Sequence, residues 1–154
     1  MIRSILRGCL AGAAGTTVLN AVTYADMALR ERPSSSAPET MVDRIAARAG
    51  HPVPDSPGRD ARLTGLGALS GIAVGTGTGA LMAVLHRAGL RPPLWLGGMV
   101  TGALAMAAGD VPMARLGVSD PGTWSGKDWA TDAVPHLLYG LTTYGALAAS
   151  ARRA

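Results

Sequence analysis

From Leu63 through Leu85 the chain carries no charged side chain: 23 consecutive residues of Leu, Ile, Val, Ala, Met, Gly, Ser and Thr. At ~1.5 Å per residue this is roughly 34 Å of helix, enough to cross a bilayer core of about 30 Å. Three further apolar stretches flank it. The pattern predicts an all-α polytopic membrane protein, a four-transmembrane-helix bundle with lipid as its solvent. The spans fall at about 8–29, 63–85, 94–109 and 129–151, and residues 1–154 make a single transmembrane domain. Asp110 and Pro112 are expected to end or kink the third span, and Pro135 to be tolerated in the first turns of the fourth.

Composition agrees. Charged residues make up 16% of the chain, against roughly 25% in soluble domains. A net charge of +4 would suggest nucleic acid in a soluble protein. Here the basic residues bracket apolar spans, so the bilayer and its anionic headgroups are the expected partner, and nucleic acid is not. Cys9 is the single cysteine, which excludes an intrachain disulfide and a cysteine-based metal site. No hydrophobic region precedes it, so it is no lipoprotein cleavage site. Residues 2–25 resemble a signal peptide, with Arg3 and Arg7 before an apolar run, but three more spans follow, and a retained first helix is the better reading.

Charge sets the expected orientation. Arg3, Arg7, Arg87, Arg91, Arg152 and Arg153 lie at the end of the bundle that holds both termini, with no acidic residue among them. All ten acidic residues belong to the other end. Eight basic residues lie there too, six of them in the long first loop, where charge counts for less. Both termini are therefore expected to be cytoplasmic in a bacterial inner membrane, with Tyr24, Trp95 and Trp129 as interfacial anchors. The abundance of Arg, Ala and Gly suggests a GC-rich bacterial genome.

The first loop holds a helix of its own, expected at 37–49. Ser36 and Glu39 have capping-box spacing, and Gly50 supplies a stop. Met41, Val42, Ile45, Ala46 and Ala49 form one apolar face, fit to lie on the outer membrane surface or to cap the bundle. Residues 51–62 read as linker. A repeat is also visible: residues 79–88 resemble 145–154, and Asp26-Met27-Ala28 resembles Asp110 with Met113-Ala114. Two related hairpins about an axis along the membrane normal would produce it.

Two constellations carry the functional expectations. Gly67, Gly71, Gly75 and Gly79 recur every fourth residue on one face of the second span, with Gly8/Gly12 and Gly98/Gly102 repeating the device. Such rows let helix backbones approach closely, within the bundle or against a homo-oligomeric or heterologous partner. The second constellation is polar: Asn20, Tyr24 and Asp26 on the first span, Asp110 closing the third, and Asp132, His136 and Tyr139 on the fourth. Brought together, these residues would form a pocket able to hold a proton or a hard cation. The structural alternative is that the aspartates are wet, cap helices or pair with Arg30 and Arg115. Only one histidine stands in the group, so no metal or other cofactor is expected. Gly75 through Gly79 lacks the spacing and Lys of a phosphate loop, and Ser34-Ser35-Ser36 is no nucleophile elbow, so no enzymatic activity is expected.

From Leu94 onward the chain resembles the YagU-like family of uncharacterised bacterial inner-membrane proteins. The resemblance rests on Leu94-Trp95, Pro112-Met113, Leu116-Gly117, Trp124, His136-Leu137 and Arg152-Arg153. It implies a polytopic inner-membrane protein tied to acid tolerance and brings no catalytic residues. The chain departs from the family in its shorter length, its few aromatic residues and its acidic Asp110. The function expected first is a structural or accessory subunit, acting in a homo-oligomer or larger membrane-protein complex through its glycine faces. The alternative is a proton- or cation-handling transporter or channel using the Asp/His cluster.

Overall fold

The computed structural model describes residues 1–152, so Arg153 and Ala154, the end of the expected basic tail and of the repeat, lie outside the described residues. Five α-helices and no strand are present among them: α1 (Ile2–Arg30), α2 (Ala37–Arg48), α3 (Arg59–Arg87), α4 (Leu94–Arg115) and α5 (Gly126–Arg152), with a 3₁₀ turn at Pro121–Thr123. The all-helical expectation holds. Three of the described helices, α1, α3 and α4, are long and apolar enough to cross a membrane.

The four long helices pack side by side in the ring order α1, α3, α4, α5. Neighbours run antiparallel: Gly8 and Gly12 of α1 meet Gly79 and Gly75 of α3, and Gly98 and Gly102 of α4 meet Leu141 and His136 of α5. What is buried identifies the solvent. The inner faces are built from small residues: Gly8, Ala11, Gly12 and Gly15 on α1, and Gly97, Gly98, Thr101, Gly102 and Ala105 on α4. Large apolar residues such as Leu10, Leu69, Ile72, Leu81, Trp95 and Met99 point outward and are exposed. In water this would leave the largest apolar surface unburied. In lipid, where Leu gains nothing by moving inside, close approach through small residues is the favourable arrangement.

The glycine contacts are specific. A Cβ on Gly8 would stand 2.7 Å from the Ala83 Cβ, and one on Gly12 3.0 Å from the Thr76 Cα. One on Gly79 would stand 2.8 Å from the Gly12 Cα. On the other side of the bundle, Gly98 faces Leu141, Gly102 faces the His136 carbonyl, and Gly140 faces the backbone of Gly98 and Gly102. The glycine row expected on α3 is interrupted. Gly75 and Gly79 meet α1, Gly67 meets Pro38 and Glu39 of α2, but a Cβ on Gly71 would meet nothing within 4 Å. The reason is geometric. A spacing of four drifts against the 3.6-residue turn, and at the level of Gly71 the neighbour of α3 changes from α1 to α2.

Burial also repeats along the chain. The buried positions Gly8, Ala11, Gly12 and Gly15 of α1 recur in α4 as Gly98, Thr101, Gly102 and Ala105, at a constant offset. Gly75, Thr78, Gly79 and Met82 of α3 recur in α5 as Gly140, Thr143, Tyr144 and Leu147, again at one offset. The α1–α3 and α4–α5 pairs are thus two similarly built hairpins. Their register differs from the one expected: Gly79 corresponds to Tyr144 rather than Gly145, and Asp110 corresponds to Asn20 rather than Asp26. The packing surface defines the equivalence, and the Asp-Met-Ala match lies outside it.

Three local expectations are corrected. Helix α4 runs on past Gly109 through Asp110 and Pro112 to Arg115, so neither residue ends it. Proline inside it leaves only one carbonyl without its usual donor, a cost that packed protein absorbs. Pro135 lies well inside α5, which starts at Gly126, and not in its opening turns. At α2, which ends at Arg48 rather than Ala49, Ser36 makes no side-chain cap. Instead the Ser35 hydroxyl accepts from the Ala37 amide at 3.2 Å, and the Glu39 Oε2 is buried with no partner among the described residues. Pro38 occupies the second helical position and removes one of the amides a Ser36 cap would use. The working capping box is at α5. The Ser125 hydroxyl accepts from the Asp128 amide at 3.2 Å, and the Asp128 carboxylate accepts from the Ser125 amide at 2.9 Å.

Helix α2 lies against α3. The Arg59 guanidinium donates to both oxygens of Asp43 at 2.7 Å, and Arg44 donates to the Leu116 carbonyl at the end of α4. Gly50, at φ 78°, ends α2 in the left-handed region that favours glycine.

Candidate functional site

The expected polar cluster is assembled in part. In α5, Asp132 and His136 are one turn apart, and the proline between them leaves the helix intact. His136 Nδ1 lies 2.8 Å from the Asp132 carbonyl oxygen and 3.2 Å from its Oδ1. A carbonyl oxygen can only accept, so Nδ1 carries the hydrogen and Nε2 is the basic nitrogen of the neutral ring. From α4, the Asp110 carboxyl lies close enough to Asp132 and His136 to interact electrostatically with both. The other oxygen of Asp132, Oδ2, is buried with no partner among the described residues. Two carboxyl groups and one imidazole therefore meet between two helices, half-buried.

The remaining members of the expected cluster go elsewhere. Asp26 accepts from Arg30 at 2.7 Å and from Arg32 at 2.6 Å, and Arg30 also donates to the Thr131 hydroxyl at 2.8 Å. This network fastens the end of α1 to the start of α5, so Asp26 follows the structural alternative. Tyr24 is 62% exposed. Asn20 is half-buried on α1. Tyr139, by contrast, is 1% exposed and donates from its hydroxyl to the Gly75 carbonyl at 2.6 Å. A Cβ at Gly75 would collide with the Thr16 hydroxyl, while the Tyr139 ring edge would lie at an ordinary contact distance of 3.5 Å.

Beyond Tyr139 lies a layer of hydroxyls. Those of Thr78 and Thr143 lie beside that of Tyr139, and the Thr143 Oγ1 is buried with no partner among the described residues. Thr16, which donates to the Gly12 carbonyl at 2.9 Å, packs against Gly75 in the same layer. A run of hydroxyls thus continues inward from the Asp/His group at the middle of the bundle. The signal in sequence was the spacing Asp132, His136, Tyr139, Thr143, which keeps every member on one helical face.

No protein-family model, curated protein or solved structure matches this chain. Fold and site together define a helical protein with three helices fit to cross a membrane and a half-buried carboxyl–imidazole group between α4 and α5. Among the described residues no group of three or more side chains is placed to hold a metal ion.

Proposed function

We propose that this chain is an integral protein of a bacterial cytoplasmic membrane that handles protons through Asp110, Asp132 and His136. All four long helices would cross the bilayer, with both termini cytoplasmic and α2 capping the outer end. Helix α5 carries too many polar groups to face lipid alone, but Asp132, His136, Tyr139 and Thr143 turn toward neighbouring helices. A polar helix crosses a membrane in that way. Arg3, Arg7, Arg87 and Arg91, at the end opposite the acidic residues, support the orientation.

The observation that carries the proton reading is the meeting of Asp110, Asp132 and His136 with one carboxylate oxygen left unpartnered. Two carboxyl groups at this range repel when both are charged, so one proton shared among them and the imidazole relieves the site. The hydroxyls of Tyr139, Thr78 and Thr143 offer such a proton an inward route. The test is proton flux into liposomes holding the purified protein and an internal pH dye. Wild type should conduct above empty liposomes, and Asp132→Asn should abolish the flux while eluting from size exclusion unchanged. Wild-type flux no greater than that of empty liposomes refutes the reading.

A second reading, an accessory subunit or homo-oligomer, is favoured by Gly65, Gly71 and Gly77 of α3. They face open space where a partner helix would fit. Native mass spectrometry of the protein purified from its own membrane decides it: a stoichiometric partner supports this reading, and a bare monomer removes it.

A further inference from the structure

The end of the bundle opposite the Asp/His group holds a cavity of about 380 Å³, lined by His86, Arg91, Pro92, Pro93, Leu94, Tyr144, Gly145 and Ala148. It opens where α3 ends, α4 begins and α5 runs past both. Its one charged lining side chain is the Arg91 guanidinium. The Arg91 Nε donates to the His86 carbonyl at 3.3 Å, which fixes the guanidinium, and its two terminal nitrogens make no hydrogen bond or ion pair among the described residues. His86 Nδ1 is buried and also unpartnered among them. Helix α4 starts after Pro93 with no side-chain cap, and its first intrahelical bond is Gly97 N to Pro93 O at 2.9 Å. The amides of Leu94, Trp95 and Leu96 therefore have no helical partner. The one hydroxyl present is occupied, since Tyr144 donates to the Pro92 carbonyl at 2.9 Å. No acidic side chain lines the cavity.

We propose that this cavity binds a phosphate group, and that its source is the headgroup of an anionic phospholipid. The Arg91 guanidinium matches phosphate in sign, and with the His86 imidazole and the uncapped start of α4 at Leu94 it offers donors to phosphate oxygens. The opposite wall, made by Leu94, Gly145 and Ala148, is apolar and suits the first carbons of an acyl chain better than it suits water. Free phosphate would use the donors and leave that wall wet. The site is independent of the proton reading, since none of its residues takes part there.

The test uses the full chain purified in mild detergent, with native mass spectrometry after incubation with phosphatidylglycerol, with phosphatidylcholine or with inorganic phosphate. Wild type should retain one phosphatidylglycerol per chain. Arg91→Gln should lower retention by about tenfold, the equivalent of one charge-assisted hydrogen bond, and Arg91→Lys should restore part of it. Arg87→Gln is the control. It removes the same charge at the same end, but Arg87 borders a different hollow with Met1, Ser4, Val84 and Ala88. Equal losses in Arg91→Gln and Arg87→Gln would reduce the effect to surface charge and overturn the proposal, as would retention of neither lipid nor phosphate. Retention of inorganic phosphate with no retention of phosphatidylglycerol would overturn the lipid source and keep the phosphate site. Variants are compared only where size exclusion shows the wild-type profile, and should Arg91→Gln misfold, the Arg91→Lys and His86→Asn pair replaces it.

Discussion

Gly71 and Gly79 stand on the same helix, eight residues apart, and the same substitution should affect them in opposite directions. At Gly79 a methyl group would collide with the Gly8 carbonyl oxygen and lie 2.8 Å from both the Cα and the amide nitrogen of Gly12. Carbon atoms pack comfortably at about 3.5–4.0 Å, so α1 and α3 must separate by roughly 1 Å. The obstructing atoms are backbone, and no flexible side chain can yield. Overpacking of this kind costs about 1–3 kcal/mol. At Gly71 a methyl group meets nothing within 4 Å, and Ala gains up to about 1 kcal/mol of helix propensity. Gly79→Ala and Gly71→Ala should therefore differ by about 2–4 kcal/mol, roughly thirtyfold to nearly a thousandfold in the folded-to-unfolded ratio. Equilibrium unfolding in mixed dodecyl maltoside and SDS micelles, followed by tryptophan fluorescence, reads this directly. Coincident unfolding curves for the two variants would refute the claim that backbone-to-backbone contact joins α1 to α3.

Tyr139→Phe removes the buried hydroxyl bond to the Gly75 carbonyl. It should cost about 0.5–1.5 kcal/mol in the same unfolding assay while sharply reducing any proton flux, and a variant with unchanged flux would take Tyr139 out of the route. At the start of α5 the Ser125 hydroxyl and amide hold the Asp128 carboxyl below its ordinary value of 3.8. A lowered pKa in the folded state means that this stabilisation is present above the ordinary value and is lost as pH falls through the folded one. Thermal unfolding on either side of about pH 4 should show part of the acid sensitivity disappearing in Asp128→Asn, and an identical pH profile in the variant would count against the capping box.

The long helices were legible because each is dominated by one physical demand, an apolar stretch of bilayer length. The glycines of α1 and α4 were legible for the same reason, since only small residues let backbones touch. The interruption at Gly71 was not, because it depends on where α2 folds back along α3, and the Arg59–Asp43 pair that holds it there spans a proline-rich linker. In the polar cluster, Asp132 and His136 were paired by helical spacing alone. Asp110, expected in the cluster at the close of the third span, keeps that place on α4, which continues past it to Arg115. Asp26 was drawn away by Arg32, a loop residue whose position depends on the turn after α1, where Glu31 adopts a left-handed backbone at φ 50°. The Tyr139–Thr78–Thr143 layer assembles only in the fold, because its members come from different helices.

The matching registers of the two hairpins bear on how such a protein arises. A hairpin that packs on a copy of itself is a homodimer, and joining two copies end to end frees each to diverge without losing its mate. Here the divergence is one-sided: Asn20 in the first half stands where Asp110 stands in the second, and Gly79 where Tyr144 stands. Fusion would thus have allowed an acid to persist in one copy only.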